Sequence, residues 1–292
     1  MESKVLKWVL ISIGILLGLA LIGGVLLWLT LTGTFIRWGD SPVLLRELKN
    51  TYSENFVIYD YEEEYSGILD ISHFSYRLHP RGDSDIRFEI EFEEKSLSKE
   101  QLGTYALAYA NSEITKKLKS NMVGYSAVYN TVIDYGVASF GLSEGISNEY
   151  KEKPVDFVNS LGPYRGTFNT RSFGVYYGLY DSIVCYPKDY NRGEAVKSLV
   201  DSISAIGLTN YSIDLAFVSD DELSVFNENY KNKKSLSLYS PDLNIVNRGD
   251  VYRIYRAGYE VYIHPVSSYS SDDVKRVEDF IAEYSSASGG EN

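Results

Sequence analysis

A long uncharged run near the start of the chain most constrains what this protein can fold into. The 29 residues between Lys7 and Arg37 carry no charged side chain, and most of them are Leu, Ile, Val, Gly and Trp. A bilayer hydrocarbon core about 30 Å thick needs roughly 20 apolar residues in a helix. Trp8 and Trp28, 20 positions apart, would place one ring at each membrane interface. The run therefore predicts a transmembrane helix over residues 8–34.

The flanks of this run predict its orientation. Residues 1–7 form a short tail with Lys4 and Lys7, and positively charged flanks stay on the cytoplasmic side. A cleaved secretory signal has an apolar stretch of only about 7–15 residues, so the run is expected to be retained as a signal anchor. The sequence thus predicts a single-pass protein of the cell membrane. The lipid bilayer contacts residues 8–34, and the C-terminal part is extracytoplasmic.

Two glycines inside the run suggest how copies of the helix pack. Gly14 and Gly18 form a Gly-x-x-x-Gly pair, a spacing that lets two membrane helices approach closely. Because glycine is also common in membrane helices generally, this pair supports a homodimer only as a hypothesis.

Composition excludes several classes of protein. With 44% hydrophobic residues the chain can build a core, which excludes an intrinsically disordered protein. The net charge of −12 argues against nucleic-acid binding, because that function needs a basic face. A single cysteine excludes an intrachain disulfide framework and a cysteine zinc cluster. No phosphate loop, dinucleotide fingerprint or zinc-protease motif is present, so we expect no cofactor and no metal.

The remainder of the chain shows strands followed by capped helices. Residues 86–93 alternate strictly between apolar and charged, which predicts a strand with one buried and one acidic face. Ser98 with Gln101 forms a capping box before an apolar helical stripe that includes Tyr105 and Tyr109. Further caps are Asn191 with Glu194 and Ser219 with Glu222, and Gly207 is placed as a helix stop.

These patterns predict an α+β fold in which antiparallel-sheet modules carry capped helices on one face, after the N-terminal transmembrane helix. We expect one α+β module over residues 39–120 and a second α+β region, of one or two sub-modules, over residues 121–285. A hairpin is expected about Gly258, and residues 286–292 form a disordered tail.

The first module resembles a known group of proteins. Leu48, the stretch Tyr52–Ile58, Tyr76–Pro80 and the strand Ile86–Phe92 are similar to small extracytoplasmic modules of membrane-anchored proteins and lipoproteins of low-GC Gram-positive bacteria. Most members of that group have no assigned activity. The resemblance covers residues 44–118 and implies a location and a local fold, but no functional residues.

Histidine offers little chemistry. His79 and His264 each precede a proline, which indicates structural turns, and His73 lies too far from His79 along a strand to share a metal. The alternative is that the acidic residues near His73 and His79 form a rim that binds a cation. Acidic loops, however, are usually only solvated. A turn between two strands is sufficient to explain the tripeptide Arg81-Gly82-Asp83.

The tyrosines suggest an interaction surface. The chain has 26 tyrosines, and four of them cluster near the C-terminus, namely Tyr252, Tyr255, Tyr259 and Tyr262. Exposed tyrosines supply rigid amphipathic contact area for a protein or glycan partner. The competing explanation is β-propensity, because tyrosine is favoured in half-exposed strands.

These observations predict a non-catalytic binding or interaction role at the cell envelope, with no catalytic residues and no enzyme activity. The alternatives are an envelope hydrolase whose paired carboxylates meet only in the fold, and a structural component of a secretion or conjugation apparatus.

Overall fold

A computed structural model describes residues 2–31, 34–65, 71–92, 97–130, 148–161, 166–168, 171–173, 179–209, 211–232, 251–257 and 260–265. The helices of this part of the chain are α1 Glu2–Leu31, α2 Thr34–Tyr52, α3 Lys99–Asn121, α4 Glu149–Glu152, α5 Pro154–Ser160, α6 Arg192–Ala205 and α7 Asp220–Lys231. The strands are β1 Phe56–Tyr65, β2 Ile71–Pro80, β3 Phe88–Phe92, β4 Ala127–Asn130, β5 Gly166–Phe168, β6 Arg171–Phe173, β7 Leu179–Pro187, β8 Tyr211–Val218, β9 Val251–Ala257 and β10 Glu260–Pro265.

The first sheet is an antiparallel meander of β1, β2 and β3. In β3, Phe88, Ile90 and Phe92 are buried whereas Glu89 and Glu91 are partly exposed, which confirms the alternation predicted from the sequence. Because successive side chains of a strand point to opposite faces, the aromatic face of β3 contributes to the core. Helix α2 adds Leu44 and Leu48, both fully buried, to the same core.

Helix α3 begins where the sequence predicts. The Ser98 hydroxyl accepts a hydrogen bond from the backbone N–H of Gln101, and the Gln101 side chain accepts one from the backbone of Ser98. This capping box satisfies backbone donors that the first helical turn leaves free. The helix contacts elements of both sheets. The larger of the two buried hydrophobic clusters among the described residues contains side chains from both sheets and from α3, with Leu44 as its first member and Ile254 as its last.

The second sheet has the order β10-β9-β8-β7-β4, and it is mixed. Strands β7 and β8 are parallel, with Val184 opposite Leu215. The expectation of purely antiparallel sheets is therefore wrong for this part of the chain. The physical reason is α6, because a helix between two neighbouring strands returns the chain to the starting edge and makes the strands parallel.

The structure confirms the other local predictions in this region. Asn191 caps α6 by accepting from the backbone N–H of Glu194, and Ser219 with Glu222 forms a capping box at α7. Gly207 follows α6 with φ of 77°, a left-handed conformation that suits glycine at a helix end. The predicted hairpin is also present, with Tyr255 opposite Tyr262 in β9 and β10.

The predicted membrane span is not supported. Within the described residues, no helix combines the length and the apolar character that crossing a membrane requires. The transmembrane helix over residues 8–34, and the single-pass location at the cell membrane inferred from it, are therefore wrong.

Candidate functional site

A cleft of about 540 Å³ opens beside the first sheet and brings together chain segments that are far apart in the sequence. One wall is the face of α3, another is the turn between β2 and β3, and a third is the connection from α2 to β1. The lining residues are Glu54, Asn55, Pro80, Arg81, Gly82, Asp83, Ile86, Tyr105, Tyr109, Glu113 and Lys116.

Backbone hydrogen bonds hold the turn that forms one wall. The N–H of Asp83 donates to the carbonyl of Pro80 at 3.2 Å, and the Asp83 carboxylate accepts from the N–H of Asp85 at 3.0 Å. The N–H of Arg81 donates to the carbonyl of Asn55 at 2.8 Å, which ties the turn to the start of β1. A short Asp-containing turn of this kind explains Arg81-Gly82-Asp83 structurally, as the sequence predicts.

Glu54 is the most strongly engaged carboxylate of the cleft. Its Oε2 accepts a hydrogen bond from the hydroxyl of Tyr105 at 2.5 Å, and its Oε1 lies 2.5 Å from Nζ of Lys151. Burial, and then the hydrogen bond to Glu54, raise the pKa of Tyr105, so this phenol stays protonated and acts as a donor. The two carboxylate oxygens of Glu54 therefore accept hydrogen bonds from two different side chains.

The ammonium of Lys151 sits among tyrosine rings. Its Nζ lies 5.7 Å from the ring centroid of Tyr109 and 5.7 Å from that of Tyr150. Cations within about 6 Å of an aromatic ring are attracted by its quadrupole. Tyr150 is only 2% exposed, and burial raises the pKa of its hydroxyl.

An edge-to-face cluster of aromatic rings supports this arrangement. The rings of Tyr105 and Tyr52 are 4.6 Å apart, those of Tyr109 and Tyr150 are 5.5 Å apart, and Tyr150 also contacts Phe157 of α5. The hydroxyl of Tyr52 donates to the carbonyl of Leu102. Such edge-to-face pairs add about 0.5–1.5 kcal/mol each beyond simple burial, so the rings that border the cleft are held rigidly.

The opposite end of the cleft carries a second charged group. Nζ of Lys116 lies 2.6 Å from the carboxylate of Glu113 and 3.7 Å from that of Asp83. The hydrogen bond to Glu113 raises the pKa of Lys116 more than burial lowers it, so the ammonium stays charged at neutral pH. With Arg81 also in the lining, the cleft presents charges of both signs.

The histidines do not contribute to this cleft. His79 is 6% exposed, and its Nδ1 lies 2.8 Å from the carbonyl of Pro80, which fits the structural role expected from the sequence. The side chains of His73 and His264 lie outside the described residues. Across the part of the chain that the structure describes, no group of three or more His, Cys, Asp and Glu is placed to hold a metal ion.

Tyr252, the first residue of the tyrosine surface expected near the C-terminus, is buried. Tyr252 is 2% exposed, and its ring lies 6.1 Å from that of Phe217 in the core. The side chains of Tyr255 and Tyr262, and the whole of Tyr259, lie outside the described residues. Tyr252 cannot offer contact area, so strand propensity is the better explanation for this residue.

Gly14 and Gly18, the glycine pair of α1, have open space around them. A Cβ added at Gly14 or Gly18 would meet no atom within 4 Å. The homodimer suggested by their spacing stays a prediction.

Sequence reasoning missed the residues that meet in the cleft. Tyr105 and Tyr109 were assigned to the apolar stripe of α3, although their spacing of four residues also places both on the cleft side. Glu54 and Lys151 are 97 residues apart, and nothing in the sequence signals their contact.

Comparison with known proteins adds information about the fold. No protein-family model matches the chain, and no curated protein matches it either. Among solved structures, a DUF5037 family protein from Ruminococcus gnavus ATCC 29149 is similar, with a TM-score of 0.50 and 12% sequence identity. The match covers 84% of this chain and 98% of that one. At this identity the likeness shows a shared fold alone.

Proposed function

We propose that this chain is a non-catalytic binding protein that holds a small polar molecule in the cleft between α3 and the turn from β2 to β3. The observation that carries the proposal is the convergence of charged and phenolic groups on a cavity of about 540 Å³. Ligand sites are typically clefts of about 300–1,000 Å³ with a few convergent polar groups.

The state of the carboxylates favours binding over hydrolysis. A glycoside hydrolase needs one carboxylic acid that is protonated and a second that is ionised. In the cleft, both oxygens of Glu54 accept from Tyr105 and Lys151, and Glu113 is paired with Lys116. Carboxylates whose oxygens already accept hydrogen bonds from neighbouring side chains are placed to orient a ligand.

A blocking variant tests the proposal. The purified full-length protein is screened by thermal shift against a library of small polar metabolites, and hits are measured by calorimetry. Gly82 lines the cleft, and a Cβ there meets no atom within 4 Å, so the backbone has room for a side chain and Gly82→Trp adds a bulky ring at the cleft. We expect at least one metabolite to bind the wild type and to bind Gly82→Trp at least tenfold more weakly.

The matched control is Gly39→Trp, because Gly39 is exposed, has the same open space, and is not part of the cleft lining. This variant should bind the same metabolite with wild-type affinity. Equal binding by Gly82→Trp would place the ligand elsewhere and refute the proposal, as would a library without a single saturable hit.

A further inference from the structure

The ammonium of Lys151 occupies a position that a ligand can take. It contacts the Glu54 carboxylate at 2.5 Å and lies 5.7 Å from the centroids of the Tyr109 and Tyr150 rings. Glu54 and Tyr109 also line the cleft, so this seat for a cation borders the cavity directly. The chain itself thus shows which chemical group the seat stabilises.

We propose that the ligand of the cleft is an organic ammonium whose charged group replaces that of Lys151 at Glu54. This inference rests on the proposed function and names the ligand class of the same site. The Glu54 carboxylate supplies the opposite charge, and the rings of Tyr109 and Tyr150 add cation–π contacts. The body of the ligand extends into the cleft along α3.

The tyrosines suit a cation better than an anion. Burial raises the pKa values of Tyr105 and Tyr150, so their hydroxyls stay uncharged and leave Glu54 as the charge that meets the ammonium. Asp83 and Glu113 add two further carboxylates to the lining. A primary ammonium offers several N–H donors, which matches the carboxylate and phenolic oxygens around the seat.

Lys151 is placed to leave its seat at small cost. Its side chain is 34% exposed and that of Glu54 is 32% exposed, and ion pairs this open contribute little to stability. Lys151 belongs to α4, which has four residues and whose N-cap, Asn148, makes no side-chain hydrogen bond to the helix. The lysine therefore acts as a tethered competitor that lowers the apparent affinity for the ligand.

The test uses n-butylammonium, which reproduces the lysine side chain, and n-butanol as its uncharged counterpart. Binding to the full-length protein is followed by ligand-observed NMR and by the shift in Tm. We expect Lys151→Ala to bind n-butylammonium at least tenfold more tightly than the wild type does, and n-butanol to bind neither protein. Adding Glu54→Gln to Lys151→Ala should abolish the gain. Lys151→Gln repeats the measurement if Lys151→Ala does not fold.

The matched control is Lys197→Ala. Lys197 also pairs with a carboxylate, that of Asp201 at 3.1 Å, and its side chain is similarly exposed at 37%. It should give no gain in affinity for n-butylammonium.

The outcomes separate this inference from the proposed function. Equal affinity of the wild type and Lys151→Ala, or a gain that survives Glu54→Gln, overturns the inference. A screened metabolite without a positive charge, blocked by Gly82→Trp and indifferent to Lys151→Ala, also overturns it while leaving the proposed function intact. A Glu54-dependent gain with n-butylammonium that Gly82→Trp leaves unchanged supports the ammonium seat and counts against the cleft as its binding site.

Discussion

The tyrosines packed beside the cleft serve the core rather than the surface. Tyr52, Tyr105 and Tyr150 are each at most 6% exposed, and their rings meet edge to face. Their hydroxyls are placed at polar partners, such as the carbonyl of Leu102 for Tyr52 and the carboxylate of Glu54 for Tyr105. A buried phenol needs such a partner because an unpaired hydroxyl would carry a desolvation penalty.

Alkaline pH should destabilise the protein through two other tyrosines. Burial raises the pKa of Tyr59 to about 12 and that of Tyr230 to about 12. The unfolded state releases these protons near pH 10, whereas the folded state keeps them until about pH 12, so the free energy of unfolding falls as pH rises through this window. The loss is at most about 2.7 kcal/mol for each residue, since one pKa unit corresponds to about 1.4 kcal/mol.

Urea unfolding between pH 9 and pH 12, with absorbance at 295 nm to follow phenolate formation, measures this effect. The double variant Tyr59→Phe/Tyr230→Phe should lose less stability over the same range. An identical pH dependence of the variant and the wild type would show that these two residues do not carry the effect.

The single cysteine should be unreactive in the folded protein. Cys185 is fully buried in β7, and burial raises the pKa of its thiol to about 12. Only the thiolate is nucleophilic, so we expect a disulfide reagent at pH 8 to react at least a hundredfold more slowly with the native than with the unfolded chain. Absorbance of the released thiolate measures both rates, and rapid labelling of the native protein would contradict the burial of Cys185.

At the scale of helices and strands, local patterns predict much of what forms. The alternation in β3 and the capping boxes of α3 and α7 depend on residues within one or two turns of each other, so the sequence alone reveals them. The parallel pairing of β7 with β8 depends on where α6 returns the chain, which no local pattern records. The apolar run near the start predicted a membrane span from composition, and the described helix does not support it.

Removing the cap of α3 should have a measurable cost. Ser98→Ala leaves the N–H of Gln101 without its acceptor, and we expect a loss of about 1 kcal/mol in the free energy of unfolding. Ser204→Ala is the matched control because Ser204 is exposed within α6 and should change stability by less than about 0.5 kcal/mol. Urea denaturation measures both, and equal effects would show that the cap contributes nothing specific.

At the scale of the whole molecule, α7 contacts Arg87, the residue that immediately precedes β3. The guanidinium of Arg87 donates to the carbonyl of Tyr230 at 2.6 Å, and its Cζ lies 4.2 Å from the centroid of the Tyr230 ring. Arg87 is 5% exposed, so this contact is shielded from water. The contact joins residues that are 143 positions apart in the sequence. The contact between Glu54 and Lys151 also joins distant residues. Sequence reasoning found neither contact because local patterns do not report such long separations.

Truncating this arginine should weaken the whole fold. Arg87→Ala removes both the hydrogen bond and the cation–π contact, and we expect the free energy of unfolding to fall by about 2 kcal/mol. The exposed Arg46 supplies the control, since Arg46→Ala should have little effect. Chemical denaturation followed by far-UV circular dichroism measures both variants. A loss no greater for Arg87→Ala than for Arg46→Ala would mean that the contact does not stabilise the fold.

The continuous core under both sheets has a consequence for any attempt to divide the chain. Because α3 packs on strands of each sheet, a gene fragment that ended after this helix would encode apolar faces with nothing to cover them. We therefore expect neither half to fold as a separate unit when it is produced alone.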